Sequence, residues 1–83
     1  MSWFFELVGN DKETLKTAVA EEIEKAKAHR VPEAVVEKVG EAIAGALDAQ
    51  LADEGYAFQV KSNGHVDQGS ANGSFEIRRT KFV

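Results

Sequence analysis

The sequence predicts an α+β domain of order β-α-α-β-β, in which a helical hairpin packs on one face of a three-stranded, mainly antiparallel sheet. Three observations predict it. A long apolar-periodic run fills residues 32–54, a second amphipathic run precedes it, and alternating segments flank the pair at both ends of the chain. In this reading all 83 residues form one domain, near the size at which a single core is only just sufficient.

The first element is a strand over about residues 2–8, SWFFELV, rich in aromatic and branched side chains and closed by Gly9. Alternation turns Trp3, Phe5 and Leu7 toward the core and Ser2, Phe4, Glu6 and Val8 toward the outer face. Gly9-Asn10-Asp11 then breaks the strand. Asn10 followed three residues later by Glu13 fits a capping box that opens a helix over about residues 11–29, with Asp11 as the competing cap. Leu15, Ala18, Val19, Glu22, Ile23 and Ala26 lie on one face, five of the six apolar, and Lys16, Glu21, Glu24, Lys25 and Lys27 on the solvated one. Pro32 pushes Val31 out of the helical region, so this helix should stop near His29 or Arg30.

The second helix is expected over about residues 32–54, with Pro32 at its first position and Gly55 as its stop. Val35, Val39, Ile43, Leu47 and Leu51 recur every fourth residue, and Val36, Ala42, Ala46 and Gln50 broaden the stripe. Gly40 and Gly45 each cost about 1 kcal/mol relative to alanine, so close packing of a neighbouring helix or sheet is expected to compensate. Glu33, Glu37, Lys38, Glu41 and Asp48 interrupt the apolar run, which excludes a membrane span.

Two strands follow, over about residues 56–62 and 74–82. Tyr56, Phe58 and Val60 face inward, opposite Ala57, Gln59 and Lys61; later, Phe75 and Ile77 face inward, opposite Glu76, Arg78 and Thr80. Arg79 and Lys81 then fall on the inward side and Phe82 on the outward one, so the strand either leaves the core there or is reset by a bulge. Between the strands, Asn63-Gly64 and Asn72-Gly73 are turn signals. They predict a long-tipped hairpin with a bulge at Asn63-Gly64 and a mobile tip over residues 67–72. Because consecutive elements usually neighbour one another, the first strand should pair antiparallel with the second; parallel pairing with the third is the alternative.

The elements Gly64 to Asp67, Gly69-Ser70 and Asn72 to Ser74, behind an aromatic strand and an alanine-rich two-helix segment, give a pattern that resembles small phage- or prophage-encoded proteins of unassigned function. The resemblance implies a viral or prophage accessory role and brings no catalytic residues with it.

Residue chemistry points away from an enzyme. There is no cysteine, which excludes disulfides, thiolate metal sites and a cysteine nucleophile. His65 and Asp67 are neighbours but cannot by themselves build a triad or a zinc site. Asp67, Gly69 and Asn72 are too few for a calcium loop, and no Lys-Ser or Lys-Thr pair follows the glycines to make a phosphate loop. No catalytic residue, metal ligand or cofactor is assigned. The start of the chain lacks the pattern of a secretory signal, so the expected compartment is the cytoplasm, that of a host cell if the chain is phage-encoded.

The net charge is −4, with twelve acidic and six basic residues in 1–55 against two and four in 56–83. A basic, aromatic end to the chain (Arg78, Arg79, Lys81 and Phe82) admits a nucleic-acid contact as the alternative function, against which the overall acidity argues. The preferred reading is a non-enzymatic interaction module, working through a protein partner or self-association. Its candidate surface is the outer sheet face: Phe4, Val8, Gln59, Arg78, Thr80 and Phe82.

Overall fold

A computed structural model describes residues 1–50 and 56–81. The chain runs β1 (Ser2–Gly9), α1 (Lys12–Ala28), α2 (Glu33–Ala49), β2 (Tyr56–Asp67) and β3 (Ser70–Lys81), the predicted order and class. The sheet order is β1-β2-β3, antiparallel throughout, so β2 is central and β1 and β3 are edges. Both helices lie on one face. The alternating strands and the helical stripes meet there in a core of Trp3 and Phe5 from β1, Leu15, Val19 and Ile23 from α1, Val36, Ile43 and Leu47 from α2, and Phe58 and Val60 from β2.

Asp11, not Asn10, occupies the cap of α1. Its carboxylate accepts a hydrogen bond from the Thr14 hydroxyl at 2.6 Å, which holds the Asp11 carboxyl below its ordinary value. Asp11 wins because it stands one residue closer to the first helical turn, where its backbone carbonyl accepts from the Leu15 amide. The other end of α1 closes by two backbone bonds, Arg30 N–H to the Lys27 carbonyl at 3.0 Å and Val31 N–H to the Ala26 carbonyl at 3.1 Å. This is a Schellman closure with Arg30 at the left-handed position, φ 67°. Val31 and Ala26, the two ends of its longer bond, are both buried in the core.

The second helix is shorter than its apolar run. It ends at Ala49, with Gln50 extended at φ −76° and ψ 141°. The Lys12 ammonium donates to the Gln50 carbonyl, which supplies a partner that a continuing helix would have used. Leu51 and the expected stop at Gly55 lie outside the described residues. The buried stripe is Val36, Ile43 and Leu47, with Val35 and Val39 at its margin; Ala42 is exposed, so the face is narrower than the spacing implied. Of the two glycines, only Gly40 has the expected neighbour. A methyl built there would stand 3.1 Å from Ile23 Cγ1, whereas one on Gly45 meets nothing within 4 Å.

The hairpin differs most from expectation. Its register is continuous from Tyr56↔Lys81 to Asp67↔Ser70, with no bulge, and the chain reverses at Gln68-Gly69, where Gly69 takes φ 77°. Neither Asn-Gly pair turns. Gly64 and Gly73 are instead cross-strand partners, and Trp3 is the partner of Gly64 on the other side. The Trp3 indole lies over both: a methyl on Gly64 would overlap its ring, and one on Gly73 would stand 2.8 Å from Cζ2. The glycines are a slot for the ring. At its rim the indole N–H donates to Ser62 Oγ at 3.1 Å, and that hydroxyl, itself buried, donates to the Ser74 carbonyl at 3.0 Å.

Candidate interaction surface

The outer face of the sheet is built by parity and register together. Ser2, Phe4, Glu6 and Val8 point away from the helices on β1, and the strand partners carry the same face onto β2 and β3. Four rows cross it: Val8–Gln59–Arg78, Glu6–Lys61–Glu76, Phe4–Asn63–Ser74 and Ser2–His65–Asn72. Thr80 lies beyond the first row, opposite Ala57. Five of the six candidate residues thus share one face; Phe82 lies outside the described residues.

Apolar and polar groups separate across that face. Phe4 and Val8, 64% and 68% exposed, stand on β1 with Glu6 between them. The middle and far side are polar. Gln59 Nε2 donates to Glu6 Oε1 at 2.8 Å, Arg78 Nε donates to Glu76 Oε1 at 2.5 Å, and Ser74 Oγ donates to Asn63 Oδ1 at 3.2 Å. Glu6, Lys61 and Glu76 belong to this surface as much as the candidate residues do. Alternation alone had placed them outward; the register that brings them beside Gln59 and Arg78 was needed to see it.

The basic end of β3 divides between the two faces. Arg78 points outward beside Glu76, while Arg79 lies on the helix side with its guanidinium 4.7 Å from the Tyr56 ring centre, and Lys81 shares that side. These cations do not form one patch. Their inward parity needs no bulge, because β3 is the edge strand and only Ile77 along it is even half-buried.

Other polar groups are accounted for by structure. The Lys27 ammonium, between the helices, contacts Glu37 at 2.8 Å and Glu24 at 3.2 Å, which holds the Glu37 carboxyl below its ordinary value and raises Lys27. Lys16 reaches Asp48 at 3.0 Å in the same way, and its pKa is raised chiefly by that bond. His65 Nε2 is 3.9 Å from Asp67 Oδ2 on the exposed outer face. His29 Nδ1 lies 2.8 Å from the Lys25 carbonyl at the end of α1. Among the described residues no group of three or more His, Asp or Glu side chains could hold a metal, and no helix is long and apolar enough to cross a membrane.

No protein-family model matches this chain, and neither does any curated protein or solved structure.

Proposed function

We propose that this protein is a non-enzymatic interaction module that binds protein through the outer face of its sheet, in a phage or prophage accessory role. One observation carries the reading: Phe4 and Val8 are about two-thirds exposed on a face that no other element of the described residues covers, beside a hydrogen-bonded polar set. Mixed apolar and polar character of this kind is typical of protein contacts. A domain this small gains proportionally from covering such a face. The cysteine-free sequence is compatible with a reducing cytoplasm, where we place the contact.

The test is association measured by light scattering and by titration with any copurifying protein. Contact through this face should weaken on Phe4→Ser and hold from low to moderate salt. The competing nucleic-acid reading has a different signature. Binding of a labelled RNA or DNA that falls steeply with salt, is lost in Arg78→Ala or Lys81→Ala, and is accompanied by no association sensitive to Phe4→Ser would overturn the protein-contact reading.

A further inference from the structure

The two Asn-Gly pairs, which do not turn the chain, differ in chemical fate. An asparagine before glycine is open to attack on its side-chain Cγ by the following backbone nitrogen, because glycine carries no Cβ to hinder the approach. Ring closure needs that nitrogen unpaired and the backbone between free to leave the extended region. Asn63-Gly64 on β2 and Asn72-Gly73 on β3 meet at one rung, Gly64↔Gly73, so the same place in the sheet compares them. Backbone pairing separates the two. Met1 N donates to the Val66 carbonyl at 2.9 Å and the Val66 amide donates back to the Met1 carbonyl at 2.6 Å. By alternation Trp3 and Gly64 are the next pair to exchange both bonds, while Asn63 and His65 direct theirs to Ser74 and Asn72 on β3. The Gly64 N–H is thus bound in the central strand, and the Gly73 N–H points away from β2. Among the described residues no group pairs with it, and the Tyr56–Lys81 rung that borders the undescribed segments is about 26 Å away along the strand.

Side chains separate them again. Asn63 Oδ1 accepts from Ser74 Oγ at 3.2 Å, whereas the Asn72 carboxamide is exposed and has no partner among the described residues. Gly73 is exposed and Gly64 half-buried. Place in the hairpin adds to the difference: Asn72 stands on the third rung from the Gln68-Gly69 turn, so fraying of the tip frees it at the loss of few bonds. Freeing Asn63 requires the central strand to open on both sides.

We propose that Asn72 converts spontaneously to isoaspartate and aspartate while Asn63 stays intact, and that the isoaspartyl form opens the hairpin tip. The Gly73 nitrogen gives its proton to solvent base and bonds to Asn72 Cγ; the carboxamide nitrogen takes up a proton and leaves as ammonia, closing a succinimide. Solvent water then adds to one of the two ring carbonyls and breaks its bond to the ring nitrogen. Opening at Cγ leaves aspartate on an unaltered main chain. Opening at the α-carbonyl routes the main chain through Cγ, with one extra methylene. That methylene displaces Ala71 and Ser70 from their partners Val66 and Asp67, and either product adds a negative charge beside His65, the rung partner of Asn72.

Timed incubation of the folded protein in mildly alkaline buffer, followed by tandem mass spectrometry, tests it, and the same incubation in urea supplies the intrinsic rates. Fragmentation has to resolve the sites, because trypsin leaves both in one peptide, residues 62–78. In the folded chain Asn72 should convert at least about tenfold faster than Asn63, and in urea, where the pairing that separates them is gone, the ratio should fall to within about threefold. Labelling by an isoaspartyl methyltransferase should rise in step and be lost from the folded chain in Asn72→Gln, whose longer side chain would need a six-membered ring. Amide exchange on the aged protein should show lost protection at His65 and Asp67, which the ladder bonds to Asn72 and Ser70. Equal rates in the folded chain, faster conversion at Asn63, or a folded chain that stays unconverted while the urea-treated one reacts overturns the assignment of the site. Isoaspartate at position 72 with His65 and Asp67 still protected overturns the opening of the tip.

Discussion

At the scale of single residues, glycine is used here in opposite senses. Gly64 and Gly73 look in the sequence like turn residues, because each follows an asparagine, and the strong local signal is wrong for both. What overrides it is the bulk of Trp3, fifty or more positions away, whose indole needs two adjacent strands to lack Cβ atoms on the core side. Gly64→Ala should therefore cost about 3 kcal/mol, at the upper end of overpacking effects, since the ring is pinned by its bond to Ser62 and cannot slide aside without breaking it. Arg30 is the converse case. It holds φ 67° with an exposed side chain, where a residue without Cβ would be unstrained. Arg30→Gly should stabilise by about 1 kcal/mol, less whatever glycine adds to the entropy of the unfolded chain. Denaturation midpoints that move in the same direction for both substitutions would contradict this account.

At the scale of elements, the strands were legible in their faces and illegible in their partners. Period-two alternation correctly turned Trp3, Phe5, Phe58 and Val60 inward and Phe4, Val8, Gln59 and Arg78 outward, because burial of one face imposes that pattern directly. Register depends on contacts across the sheet, and so the rows that place Gln59 against Glu6 came only with the fold. Helix ends split the same way: the stop at Pro32 is a local steric effect and was legible, whereas the stop of α2 at Ala49 was hidden beneath an apolar run that continues to Leu51. The helices are tied to each other by Lys27, and that link is sensitive to pH. The Glu37 carboxyl titrates below its unfolded value, so the stability it contributes is fully present above the ordinary carboxylate range and is lost as pH falls through the folded value. Glu37→Gln should lower the melting temperature slightly at neutral pH, and the gap from the parent chain should close as the pH drops below that range. A gap that widens in acid would reverse the sign of the link.

At the scale of the whole molecule, length mismatch explains the shape. Helices of seventeen residues reach about 25 Å, whereas a hairpin of twelve-residue strands reaches about 40 Å, so the hairpin projects past its cover and the molecule measures 45 × 19 × 18 Å. The helices bury the centre of the sheet and leave β3 exposed. Stability is consequently concentrated where α2 meets the sheet, in Val36, Ile43, Leu47 and Val60, each with no exposed surface. A chain of 83 residues has on the order of 4 to 12 kcal/mol of folding free energy in total. Leu47→Ala removes a fully buried side chain from that centre and leaves a cavity that two helices and a sheet cannot all relax to fill, a cost of about 2 to 5 kcal/mol. The loss is large enough to bring the lower half of that range close to unfolding at ambient temperature. In urea the midpoint should fall while the slope stays constant, because the substitution alters the native packing and not the surface exposed on unfolding. An unchanged midpoint would mean that α2 does not hold the core, and the pairing of β2 with its neighbours would then have to stabilise the fold alone.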